Sequence, residues 1–357
     1  MGNSKKIISV AIMTFICFAV VWVGPPQNAL GEETLVICSW GGAYTKAQSE
    51  ALFKPFTKKT GIRIIETSYP SVAKIRAMVE TGNVEWDLAD ISAGYAIVLN
   101  KYGALEKIDY SGFDKKLLDE VFEGTYKPYI VRHSFYSEII AYRKDVFGKQ
   151  HPKNWKEFWD VKRFPGPRCM MSGSGMSGGL EFALMADGVP IDKLYPLDVE
   201  RAFKKLTEIK PYVTKFWISG ATPAQLLTDK EVVVTTSWHG RILKIMEDGQ
   251  PVDLVFNQAK LNNEYWGIPK GAKNYENALK FIEFSLQAEN QANWVHAYRG
   301  GLGPTNKKAL PLIRPDILKV TPTAPENKKV SFLTNDEWWG ENLERVTEIW
   351  NIWAIQK

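Results

Sequence analysis

Two charged residues, Arg241 and Glu264, and two tryptophans, Trp40 and Trp238, have the side-chain chemistry to grip a small polar molecule. A guanidinium presents a planar, bidentate fork that suits a carboxylate or phosphonate, whereas a carboxylate suits an ammonium. Together Arg241 and Glu264 would read a zwitterion: an amino acid, a γ-aminobutyrate-like ω-amino acid, or an aminophosphonate. Read blandly, they are two surface charges or an ion pair between lobes. Trp40 and Trp238 could box a methylene chain and its ammonium, with cation–π contacts of ~0.5–2 kcal/mol each. Trp294, Trp338, Trp339, Trp350 and Trp353 read instead as core.

A third candidate is the run Ser172-Gly-Ser174-Gly-Met-Ser177-Gly-Gly179. Between a strand and a helix its backbone N–H groups, with Ser174 among them, could cradle an anion. The same run satisfies G-x-S-x-G, the spacing of a hydrolase nucleophile elbow, and Asp187 or Asp229 followed by His239 or His296 would complete a hydrolase order. Chance matches come easily in so Gly/Ser-rich a stretch, and no oxyanion-hole motif accompanies it. A secreted serine hydrolase using Ser177 is therefore the rival reading, and no catalytic residue is assigned. The 4 histidines lack metal-ligand spacing and no Tyr-Tyr pair occurs, so neither a metal nor another cofactor is expected.

The elements that must position these residues alternate strand and helix, which argues for an α/β fold with a mainly parallel sheet. Leu35–Cys38 reads as a short buried strand, followed by a Gly turn and a helix through Ala47, Ala51 and Leu52. Ile62–Ile65 is the next strand. Ser71 caps a helix whose Val72, Ile75 and Met78 share a face and which ends at Gly82. Asp87–Ile91 is a further strand. A second set comprises strands at Glu138–Tyr142, Arg168–Met171 and Glu231–Thr236, and helices starting at Asn154, Leu180 and Asp198. A strand near Glu264–Pro269 leaves this set, and the tail is a helix with an aromatic face. Two doubly wound lobes joined by more than one crossing would give this order, with ligands at the carboxyl ends of the strands.

The chain has 357 residues, 45% hydrophobic and 24% charged. That length suits two lobes better than one core, since single cores stop growing near ~250–300 residues. Lys5 and Lys6, an apolar run from Ile7 to Val23 and the small residues at Ala29 and Gly31 read as a cleaved export signal over 1–31. Its loss lowers the net charge from +5 to +3, too mild a balance to call for nucleic acid. Cys38 and Cys169 sit in apolar strands and are expected to stay unpaired.

With these residues in view, the sequence resembles the spermidine/putrescine-type periplasmic binding proteins. The resemblance rests on Ser39-Trp40-Gly41-Gly42-Ala43-Tyr44, Glu85-Trp86-Asp87-Leu88, Asn154-Trp155-Lys156-Glu157-Phe158, Trp238-His239-Gly240-Arg241 and Tyr265-Trp266-Gly267-Ile268-Pro269. Pro322–Glu326 and Asp336–Trp339 extend it through the tail. It implies a type II, Venus-flytrap fold of two doubly wound lobes joined by a hinge. Lobe 1 would hold 32–136 plus 264–306 and lobe 2 would hold 137–263 plus 307–357, hinged near Tyr129–Ser137 and Asn262–Gly267. It also implies a monomer in the periplasm that captures a small-molecule amine or amino acid and delivers it to an ABC permease in the inner membrane.

Carried over residue by residue, the implied pocket contains Trp40, Gly41, Gly42, Tyr44, Ser92, Ser219, Trp238 and Glu264. The acidic residues that polyamine binders carry after the strand ending at Met171 are missing here, and His239 stands where Asn is commoner. A zwitterion is therefore favoured, with putrescine or spermidine as the alternative.

Overall fold

The computed structural model describes residues 33–173 and 179–356; the expected export signal and both Ser174 and Ser177 lie outside the described residues. The strands are β1 (Thr34–Ser39), β2 (Arg63–Ser68), β3 (Leu88–Ser92), β4 (Ile130–Arg143), β5 (Arg168–Met171), β6 (Val213–Trp217), β7 (Val234–Trp238), β8 (Val252–Gly267), β9 (Gly303–Pro304) and β10 (Phe332–Leu333). They share one sheet in the order β2-β1-β3-β8-β4-β7-β5-β6, with β10 beside β8 and β9 beside β4. Two parallel trios, β2-β1-β3 and β7-β5-β6, flank the long antiparallel pair β4 and β8.

That central pair is where the sheet changes hands. On one side Ala89–Ser92 of β3 pair with Gly267–Glu264 of β8. On the other, Glu138–Tyr142 of β4 pair with Trp238–Val234 of β7. Between these zones the β4–β8 register breaks, because residues 256–259 stand opposite Ile139 alone. Gln258 there adopts φ 62°, and its side-chain and main-chain oxygens accept Trp155 N–H and Nε1–H at 3.1 and 2.9 Å. A bulge of this kind bends a strand and strengthens its twist.

Strand alternation feeds separate cores on the two faces. Leu35 and Ile37 of β1 join one buried cluster, and Cys38 joins another with Ile75, Met78 and Ile91. Ile140 and Tyr142 of β4 join a third, and Ile139 and Ala141 a fourth. Each half of the sheet is therefore covered on both faces, which is what the expected doubly wound α/β pattern requires. Ala309, Ile313 and Ile317 pack with the first cluster, whereas Phe332 and Trp339 pack with the third.

The helices that bear on the site are α1 (Gly42–Gln48), α2 (Val72–Thr81), α3 (Ala93–Lys101), α4 (Val199–Ile209), α5 (His239–Glu247), α6 (Ala288–Ala297) and α7 (Asp336–Ile355). Ser71 caps α2 by accepting Lys74 N–H, and the helix ends at Gly82 with φ 69°, as its sequence predicts. Asp198 caps α4 in the same way. In α7 the residues Trp339, Val346, Trp350 and Trp353 are buried, each contributing roughly 1.5–3 kcal/mol of apolar burial before ordering costs. A Cβ on Gly173 would lie 2.2 Å from the Trp350 indole, so the start of the Gly/Ser run is small because a ring packs on it.

A buried ion pair ties β8 to the helix that follows the Gly/Ser run. Lys260 Nζ is 2.8 Å from Glu181 Oε1, with the two side chains 1% and 0% exposed. Tyr195 and Trp339 donate to the same carboxylate oxygen at 2.7 and 3.0 Å. Cys38 and Cys169 are both buried and free. Burial pushes their thiols up to about 11 and about 12, respectively.

Candidate functional site

The turn after β1 needs two glycines. Gly41 and Gly42 both have positive φ, 79° and 60°, a conformation that side-chain-bearing residues adopt only at a cost. Gly41 N–H donates to Thr45 Oγ1 at 2.7 Å, so the turn closes onto the first turn of α1. The Tyr69 ring lies 3.3 Å from where a Gly41 Cβ would sit, and Tyr69 itself has φ 67° and is 76% exposed. The strand, turn and helix together project Trp40, Tyr44 and Gln48 from one region toward the carboxyl end of β3.

All three converge on Asp90, which is fully buried in β3. Trp40 Nε1–H donates to Oδ1 at 3.3 Å, and Tyr44 O–H and Gln48 Nε2–H donate to Oδ2 at 3.0 and 2.7 Å. His133 Nε2 lies 3.0 Å from Oδ1. Tyr44 and Gln48 are four apart in sequence and therefore share a face of α1. Asp90 did not emerge from the sequence reading. Its signal was present in Leu-Ala-Asp-Ile, an acid inside a strand that must be buried on both faces, where a carboxylate persists only with several donors.

Glu264 lies on β8, directly opposite Ser92 of β3 and Ser134 of β4. Residues opposite one another in an antiparallel pair share a face, so Asp90, Ser92 and Glu264 look the same way. Burial pushes the Glu264 carboxyl well above the usual carboxylate range; nearby Asp90 adds to the rise, and a hydrogen bond from Trp40 opposes it. Among the described residues no cationic side chain is ion-paired with Glu264. Ser92 also caps α3, its Oγ accepting Tyr95 N–H at 3.5 Å, and the Trp40 and Tyr95 rings are 5.7 Å apart. Trp40, Gly41, Gly42, Tyr44, Ser92 and Glu264 are thus brought into one neighbourhood.

The remaining candidates come from the other half of the sheet. Trp238 ends β7, with its ring 5.9 Å from Tyr136 and 5.6 Å from Trp217. A Cβ on Gly220 would meet the Trp238 ring at 2.2 Å, so a glycine beside the exposed Ser219 lets the indole lie flat there. Arg241 occupies the first turn of α5, half-buried, and its charge bears on the Tyr298 phenol. Tyr298 packs edge-on against Tyr44 at 5.5 Å. It also sits 3.2 Å from where a Gly240 Cβ would be. Tyr298 thus lies between the start of α5, where Arg241 sits, and Tyr44, which donates to Asp90. No ion pair joins Arg241 to Glu264 among the described residues.

His239 is tied to backbone on two segments. It is fully buried, its Nδ1 accepts Ser137 N–H at 3.1 Å, and its Nε2–H donates to the Gly300 carbonyl at 3.0 Å. Both nitrogens are thus engaged by backbone, one on β4 and one on the loop after α6. Burial pulls its pKa down to about 4, so the ring is neutral near pH 7.

Residues 51–326 match the family of bacterial extracellular solute-binding proteins. The γ-aminobutyric acid-binding protein of Pseudomonas aeruginosa is 32% identical over 91% of this chain and 92% of its own. The spermidine/putrescine-binding periplasmic protein of Escherichia coli K12 is 25% identical over 87% of this chain and 88% of its own. The solved structure of the Atu4243-GABA receptor superposes with a TM-score of 0.81 at 33% identity, covering 91% of this chain and 98% of that one.

Proposed function

The chain belongs to the bacterial extracellular solute-binding proteins, the substrate-binding components of ABC transporters, and from that premise we propose that it captures a small ω-amino acid or aminophosphonate. Its fold is the type II periplasmic-binding-protein fold. The observation that carries the ligand reading is Glu264, a buried carboxyl without a cationic partner, framed by Trp40, Tyr44 and Ser92 and backed by Asp90. A ligand ammonium there gains a charge-assisted hydrogen bond and the indole face at once. Arg241, approached through Tyr298, receives the carboxylate or phosphonate at the other end. Trp238, with Ser219 beside Gly220, walls the methylene chain. The relatives support this choice, since a γ-aminobutyrate binder is more similar to this chain than a polyamine binder.

Capture involves no bond-making. The halves of the sheet act as lobes that flex about β4 and β8 where their register breaks. The ligand touches both halves only when they close, and this differential contact shifts the population toward the closed form. A permease of the inner membrane then reads the closed form in the periplasm, after the export signal has been removed. The packing of Ala309, Ile313 and Ile317 with the first core supports assigning 307–318 to lobe 1, with the return to lobe 2 following it.

The test is thermal melting of protein stripped of bound solute, against γ-aminobutyrate, 2-aminoethylphosphonate, putrescine and spermidine. A ligand at 100 times its Kd stabilises by about 2.7 kcal/mol. A melting shift with a zwitterion, lost in both Glu264→Gln and Arg241→Ala, is the expected result. A shift with the diamines alone, unaffected by Arg241→Ala, would refute the zwitterion reading.

A further inference from the structure

We propose that capture of the ligand ammonium expels one proton from the site, and that Asp90 sets the pH range in which this happens. The inference rests on the reading of Glu264 as the ammonium-binding carboxylate. Asp90 lies opposite Trp266 and Glu264 opposite Ser92, which makes the two acids diagonal neighbours on one face, with backbone positions roughly 7–8 Å apart. The Trp40 indole N–H reaches both. Asp90 is held by four polar partners, Trp40, Tyr44, Gln48 and His133. Glu264 has a single such donor and no ion-pair partner among the described residues. Burial, and after it the neighbouring Asp90, oppose ionisation of Glu264, so the proton rests on Glu264 in the free protein.

The other ionisable groups around Glu264 do not replace it. From α1, Tyr44 faces both acids; from β4 come Tyr136 and, farther along, Glu138; burial holds both phenols well above their usual range. On β8 itself Tyr265 donates to Asp336 of α7 at 2.6 Å. His133 turns its Nε2 to Asp90, and His239 is neutral near pH 7 and bonded to backbone. From α5, Arg241 bears on Tyr298. When an ammonium arrives, the Glu264 O–H bond breaks, its proton passes to the buffer, and the carboxylate accepts N–H bonds from the ligand. The free ligand is already an ammonium, so the net change is one proton released per ligand bound.

The decisive experiment is titration calorimetry of γ-aminobutyrate into protein purified from the periplasm, in phosphate, PIPES and imidazole buffers near pH 6. The apparent enthalpy should vary linearly with buffer ionisation enthalpy, with a slope approaching one proton released. Kd should tighten by up to about tenfold per pH unit while Glu264 remains protonated in the free protein. Asp90→Asn should lower the number of protons released at the same pH, because the neighbouring charge is gone. Glu264→Gln has no proton to release, so any residual binding must be independent of buffer. A flat buffer series with intact wild-type binding would overturn the inference and leave the ω-amino-acid reading standing, as would continued proton release in Glu264→Gln. If γ-aminobutyrate does not bind at all, the reading and the inference fall together.

Discussion

Acid should unlock this protein through His239. In the folded state the ring is buried between Ser137 N–H and the Gly300 carbonyl. Its pKa falls from 6.5 to about 4, chiefly because burial penalises the imidazolium. The unfolded chain therefore takes up a proton below about pH 6.5 that the folded chain refuses until about pH 4. In that window the unfolded state binds more protons, so stability declines as pH falls from about 6.5 to about 4 and is fully present above it. At about 1.4 kcal/mol per pH unit the loss amounts to roughly 3 kcal/mol, a large part of a typical folding stability of ~5–15 kcal/mol. Protonation would also put a second N–H against the Ser137 amide, replacing an acceptor with a donor. The assay is urea unfolding of the wild type and of His239→Gln at half-unit steps between about pH 4 and 7.5. The wild-type minus variant difference isolates His239 from other titrating groups. It should be steep between about pH 4 and 6.5 and flat above. A difference that is constant across the whole range would refute the account of His239 as a neutral, backbone-bonded histidine.

Two further outcomes follow from the buried polar groups and thiols. Lys260→Met alone should cost about 3–5 kcal/mol, because it strips the fully buried Glu181 of its 2.8 Å cation. Lys260→Met with Glu181→Leu should recover most of that in the same urea assay, and a double variant no better than the single one would contradict the desolvation argument. Native protein should resist an aromatic disulfide reagent, since Cys38 and Cys169 are buried with thiols pushed up to about 11 and about 12. Both should react after denaturation, and rapid labelling of either under native conditions would show that its strand opens.

Much of the architecture was legible because it depends on local periodicity and local capping. Val36 and Cys38 alternate with Leu35 and Ile37 between two faces, Ser71 caps the helix it was expected to cap, and Asn154 and Asp198 cap the helices read as starting there. Each of those features is decided within a few residues, by a side-chain oxygen reaching an N–H three positions on or by the two-residue strand repeat. The aromatic face of the last helix was readable on the same grounds. The family likeness of the short Trp- and Gly-containing motifs pointed further, to the two-lobed fold.

What sequence alone left undetermined was everything that depends on pairing between distant segments. The strands β4 and β8 run 14 and 16 residues, yet only their apolar ends were read as strand. Arg132, His133, Ser134 and Ser137 interrupt the apolar pattern and are buried nonetheless; Arg132 donates to Asn263 and to the Glu123 carbonyl, and His133 meets Asp90. Asp90 escaped notice for the same reason, since its donors come from two separate segments, at 40–48 and at 133. Residue types and the family likeness therefore pointed to Glu264 as a carboxylate for an ammonium and to Arg241 as a guanidinium for an anion. Only the fold could set a second carboxylate diagonally beside the first and bury both, because charge, burial and hydrogen bonding at one point in space are properties of strands brought together, and no one stretch of chain contains them.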